Sequence, residues 1–287
     1  MGFGISSMRS ALEFSEKGFF KNKSSVLDMG SQEIHIRKND FIAIANSFNI
    51  SPNLNDFPCI EKDIWPQLPR DSTQKFWKML GFDRVDCSDI NRMHGAKYID
   101  LNQPLEDKSL INQYDLVTDF GNNEHPFNAA EAYRTMHRLC KKEGLIWILQ
   151  SVFGGNGFYN FDVSFFESIA AVNDYEILTS YFTVQTEDGD QPRLPLSMGL
   201  LKLLDLNKID VLGVSYLFRK KLDKDFIMPV QSIGALGSDS FYRASLAPES
   251  THLGISQARS YIPSEYTIGI KKVLKLVFNK IKKRILK

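Results

Sequence analysis

Short apolar strands that leave on an acid, alternating with helices, constrain this chain more than any other feature of its sequence. Residues 24–30, "SSVLDMG", read as a buried strand closed by a turn glycine. "DRVDCSDIN" (83–91), "AKYIDLN" (96–102) and "YDLVTDFG" (114–121) repeat that ending. "LIWILQSVF" (145–153), "EILTSYFTVQT" (176–186) and the last part of residues 191–221 supply three more strands. Continuous apolar runs of this length suit strands covered on both faces, as inside a parallel sheet. Helices read at 8–20, at 72–82 with Asp71 as cap and Gly81 as stop, at 128–144 from Asn128 to Gly144, and at 162–175. The alternation predicts an α/β fold, a doubly wound, mostly parallel sheet of seven strands. Residues 31–70, rich in Pro and Asn, read as a loop-rich insertion.

The chain divides into an N-terminal helix (1–23), an α/β domain (24–230), an irregular extension (231–267) and a tail (268–287). From Ile268 onward there are eight basic residues and no acid, so the net charge of +1 leaves −7 on residues 1–267. In the tail, Ile270, Val273, Leu274, Val277, Phe278, Ile281 and Ile285 recur at helical spacing, with Lys271, Lys272, Lys275, Lys282 and Lys283 mainly off that stripe. This is the pattern of a basic amphipathic helix, which binds an anionic membrane surface or docks on its own body with its lysines solvated. We expect membrane contact, and no nucleic-acid binding, because an acidic body opposes it. Cys59, Cys87 and Cys140 show no paired spacing, which points to a reducing compartment and to neither a disulfide framework nor a metal site. No apolar run reaches membrane-spanning length and no secretion signal opens the chain. The expected location is the cytoplasm, peripheral on the inner membrane face. "MGFGIS" matches the myristoylation pattern at Gly2 and Ser6, a match short enough to arise by coincidence.

In a doubly wound sheet, ligands sit at the carboxyl ends of the strands where strand order reverses. Asp28 with Gly30, Asp89, Asp100, and Asp119 with Gly121 all fall at such ends. Each acid alone also suits a helix cap; the ordered set of four points to a ligand. A carboxylate after the second strand offers the acceptors for a nucleoside's ribose hydroxyls.

The order "VLDMG … VDCSDIN … KYIDLN … YDLVTDFGNNEH … MHRLCKKEGLIWIL" over residues 24–185 resembles the class I S-adenosylmethionine-dependent methyltransferases, with their Rossmann-like fold. Within them it is most similar to methyltransferases of bacterial surface-polysaccharide gene sets, through "DFG..EH.FN" and "GFYN". The resemblance implies S-adenosylmethionine as cofactor. Asp28, Gly30, Ser31 and Gln32 would lie near its methionine part. Asp89 and Ile90 would hold the ribose, Asp100 and Leu101 would flank the adenine, and Asp119, Phe120 and Gly121 would form a wall. It departs from the family in the first loop, where Ser31, Gln32 and Glu33 replace alternating glycines. Those side chains serve either as polar contacts or as fillers of the cofactor's space.

A sugar hydroxyl as acceptor needs a general base. His125 in "NNEHPFN" is the candidate, with a helix-entry role as its structural alternative; His94 is the second choice. The aromatic, glycine-rich "QSVFGGNGFYNFD" suits a pyranose or simply clamps onto the core. The expectation is methyl transfer to a sugar or surface-glycan precursor. The alternative is a non-catalytic, membrane-associated partner of the same fold. A glycosyltransferase is weaker, since "DCSD" (86–89) is a poor metal-binding acid pair.

Overall fold

The computed structural model describes residues 2–60, 70–186 and 191–230. The expected extension and tail helix lie outside these. The described part has seven strands: β1 (Ser25–Met29), β2 (Arg84–Ser88), β3 (Tyr114–Phe120), β4 (Cys140–Phe153), β5 (Tyr175–Gln185), β6 (Arg193–Pro195) and β7 (Val211–Lys220). They form one sheet in the order β2-β1-β3-β4-β7-β5-β6. β2, β1, β3 and β4 pair in parallel, whereas β7 runs antiparallel to both β4 and β5, and β6 antiparallel to β5. Five strands therefore point one way and two the other. The doubly wound α/β sheet of seven strands is the expected Rossmann-like methyltransferase fold.

The period-2 alternation of strand side chains divides the core between the two faces. Leu27, Met29, Val117, Ile146 and Ile148 pack under α4 (Ala129–Leu139) and α5 (Val163–Val172). Val26, Leu116, Phe120, Trp147 and Leu149 pack under α1 (Ile5–Glu16), α2 (Lys38–Ser47) and α3 (Gln74–Met79). The second face is strongly aromatic: Trp147 meets Phe14 and Phe120 at centroid distances of 4.9 Å each, edge-on. α1 is tied to the far edge of the sheet. Arg193 of β6 grips Glu13 with both guanidinium nitrogens, at 2.8 and 2.5 Å, and the Ser10 hydroxyl lies 2.6 Å from that of Tyr181.

Five expectations are corrected. Residues 96–102 form no strand: Lys97 makes a single bridge to Ser88, and the chain turns away through an Asp100–Asn102 turn. The seventh strand is instead β6, at the start of residues 191–221, where the sequence reads as a helix and one last strand; Pro195 ends β6, and an edge position tolerates that proline. The insertion at 31–70 contains the ten-residue helix α2. α4 stops at Leu139, five residues before Gly144, because Cys140 already pairs with Tyr114 of β3. The buried Lys220 ammonium holds that junction by donating to the His137 and Cys140 carbonyls at 2.9 and 2.8 Å. Asp71 does not cap α3 either: it accepts the Cys59 backbone N–H, and Thr73 is the residue at the helix start.

Candidate functional site

β1 has β2 on one side and β3 on the other, so strand order reverses between β1 and β3. Both strands exit through a glycine in the left-handed region, Gly30 at φ +86° and Gly121 at φ +77°. Above them opens a cleft of about 1230 Å³. Its floor is Gly30, Ser31 and Gln32 after β1, Asp89 and Asn91 after β2, and Gly121, Asn122 and His125 after β3. The insertion contributes His35, Arg37 and Asp40, and the N-terminal segment adds Gly2 and Gly4. Gln191 also lines the cleft and accepts the Ser6 backbone N–H at 3.1 Å, so the start of α1 closes one side.

Among the expected site residues, Gly30, Ser31, Gln32, Asp89, Gly121 and His125 share this cleft; the others do not line it. Asp28 and Asp119 lie inside their strands and point to opposite faces. Asp28 is buried on the α3 side, where it accepts hydrogen bonds from the hydroxyls of Thr73 and Thr118 and from Trp77 Nε1. Burial raises its pKa, and these three donors oppose the rise. Asp119 is buried on the α4 side. It accepts the backbone N–H groups of Asn122 (2.9 Å) and Asn123 (3.1 Å) and the side-chain amide of Gln150 at 2.5 Å, so it shapes the loop that carries His125. Burial pushes it up to about 7, and the charge of the neighbouring Glu124 adds to the rise. Phe120 packs against Phe3 and Trp147 in the core. Ile90 is exposed beside Asp89, Leu101 is buried, and Asp100 caps its own turn by accepting Asn102 N at 2.9 Å.

His125 is half exposed, and Glu124 Oε1 lies 3.9 Å from its Nε2. The Glu124 side chain is fully buried; Oε2 accepts Ser151 N at 3.3 Å and Oε1 has no hydrogen-bond partner. His94 is instead paired with Glu33 at 3.0 Å and does not line the cleft. Sequence reasoning missed Asn91 and Asn122, which sit one turn beyond the strand ends, and the contribution of α2, whose helix was hidden by the composition around it. Among the described residues, no group of three or more His, Cys, Asp or Glu could hold a metal ion.

The first loop is closed on itself. Ser31 donates to Asp89 Oδ2 from its backbone N–H (3.0 Å) and its hydroxyl (2.9 Å), and Asn91 N donates to Asp89 Oδ1 at 3.0 Å. Gln32 folds back so that its amide donates to the Met29 carbonyl at 2.9 Å. The amide ends of Gln32 and Asn122 lie directly over Gly30.

No family model and no curated protein matches this sequence. Among solved structures it is similar to a SAM-dependent methyltransferase from Archaeoglobus fulgidus, at 12% identity over 75% of this chain and 94% of that one, with a TM-score of 0.39. It is also similar to the YcgJ protein from Bacillus subtilis (12% identity, 76% and 99% covered, TM-score 0.38). A third is the [4+2]-cyclase SpnF (12%, 75% and 81%, 0.37). The fold assignment rests on strand order and direction, not on these scores.

Proposed function

We propose that this chain is an S-adenosylmethionine-dependent methyltransferase acting on a hydroxyl of a sugar or surface-glycan precursor. The observation that carries the reading is the cleft at the switch point, where Gly30, Asp89, Gly121 and His125 meet around one space. Its volume exceeds that of an ordinary small-molecule pocket, which leaves room for a cofactor and an acceptor together. The donor set fits a zwitterionic nucleoside. The Asp89 carboxylate is an acceptor for ribose hydroxyls, and the amides of Gln32 and Asn122 pair with either charge of an amino-acid end.

When bound, the cofactor supplies a methyl group activated by a sulfonium. The protein's part is alignment and proton removal. Asp89 would fix the ribose, and the two positive-φ glycines would keep Cβ atoms out of the cleft floor. His125 would take the acceptor's hydroxyl proton. The exposed Phe127 and Phe158 and the loop between β4 and α5 offer apolar faces beside His125 for a pyranose ring; Tyr159 links the two loops by donating to the Phe127 carbonyl at 2.6 Å.

A second reading, a non-catalytic protein of the same fold, is favoured by the Ser31–Asp89 closure of the first loop. Calorimetric titration of the full chain with S-adenosylhomocysteine separates the two. The enzyme reading expects saturable binding, weakened by about tenfold or more in Asp89→Ala through loss of the ribose hydrogen bonds. No heat of binding at millimolar ligand would sink it.

A further inference from the structure

We infer that Ser31 is a hydrogen-bond gate on the ribose site, with Asp89 and Asn91 as its two alternative acceptors; the inference rests on the cofactor reading above. An ionised carboxylate has about four acceptor positions. Asp89 already uses three of them, two on Oδ2 for the Ser31 N–H and hydroxyl and one on Oδ1 for Asn91 N. A ribose diol brings two O–H donors, and one position is left. The nucleoside therefore displaces one of the three, and the two backbone donors belong to the turns that build the loop. The Ser31 hydroxyl is the one free to leave.

It has somewhere to go. Ser31 Oγ lies 2.9 Å from Asp89 Oδ2 and 3.0 Å from Asn91 Oδ1, and a hydroxyl has one proton to donate. Rotation about the Cβ–Oγ bond moves that proton from Asp89 to Asn91, and rotation about Cα–Cβ then carries Oγ itself off Oδ2. Asn91 Oδ1 also accepts Met93 N at 2.8 Å, so the second acceptor is held in place by its own turn. With the hydroxyl turned away, the second position on Oδ2 is open and the diol finds the pair of acceptors it needs. The missing glycines of the first loop are thereby reinterpreted: Ser31 keeps the carboxylate satisfied while the site is empty and gives it up to a diol.

The test is a double-mutant cycle read by calorimetric titration with S-adenosylhomocysteine on the wild type, Ser31→Ala, Asn91→Ala and the double variant, each checked for folding by thermal melting. Ser31→Ala is expected to bind about five- to tenfold tighter than wild type, the scale of one hydrogen bond. Asn91→Ala, which removes the second acceptor and leaves the hydroxyl on Asp89, is expected to bind more weakly. That weakening disappears in the Ser31→Ala background, which a merely structural role of Asn91 in its turn would not produce. Ser31→Thr, which keeps the hydroxyl, restores the wild-type affinity. If the wild type binds and Ser31→Ala is no tighter, or if Asn91→Ala weakens binding equally in both backgrounds, the gate is overturned while the cofactor reading stands. Absence of binding in all four variants removes both.

Discussion

At Gly30 the backbone has φ +86°, and a Cβ built there would lie 2.9 Å from Asn122 Oδ1 and 3.0 Å from Gln32 Nε2. Gly18, at φ +78°, has nothing within 4 Å of the same atom. Both positions carry the left-handed backbone cost of a side chain, about 1 kcal/mol; only Gly30 adds crowding on the cleft floor. Gly18→Ala is expected to lower stability by about 1 kcal/mol, and Gly30→Ala by about 2 kcal/mol, read from urea midpoints at unchanged m. Equal losses would show that Gln32 and Asn122 yield freely. The residues that proved legible are those lying just past a strand end: Gly30, Asp89, Gly121 and His125. Asp28 and Asp119 carry the same chemistry two residues before Gly30 and Gly121, and inside a strand the side-chain period sends each to a buried face. The sequence shows the acid; whether it lies within the last pleat or beyond it depends on where the ladder ends.

Among the elements, β1, β3 and β4 were readable because both faces of each are covered, so apolar character alone marks them. Residues 96–102 have the same composition but find one bridge partner, and a strand needs a ladder. α2 is a ten-residue helix followed by a Pro- and Asn-rich stretch, and that composition concealed it. α5 shows how an element's burial sets a pH response. Its Glu167 packs on β7, where the Tyr216 hydroxyl donates to Oε1 at 3.4 Å, and burial pushes its pKa up to about 7 against the lowering effect of that hydrogen bond. Between pH 4.5 and 7 the folded state then binds more protons than the unfolded one. This group's contribution to stability therefore falls as pH rises through that window and stays reduced above it. Glu167→Gln is expected to match the wild type below pH 4 and to be about 1–2 kcal/mol more stable at pH 8, by urea unfolding at both pH values. A variant no more stable at pH 8 would place the carboxylate in a better-hydrated setting than the structure gives it.

For the whole molecule, charge and topology matter more than any one contact. We propose that the eight basic residues after Ile268 hold the protein at an anionic surface, where each basic residue contributes about 1 kcal/mol. Flotation with anionic liposomes is expected for the full chain and lost on removal of 268–287; equal flotation of both forms would refute the assignment. Among the described residues, no helix is long and apolar enough to cross a membrane. The sheet carries a different consequence. β7, the last in sequence of the seven described strands, lies between β4 and β5 and pairs with both along most of its length. A chain emerging from the ribosome therefore holds two long, unpaired strand edges facing an empty slot until Lys220 has been made. Release before that point leaves a template for aggregation. Completion of the sheet is a late, non-local step, and the interval before it is when this protein most needs a chaperone.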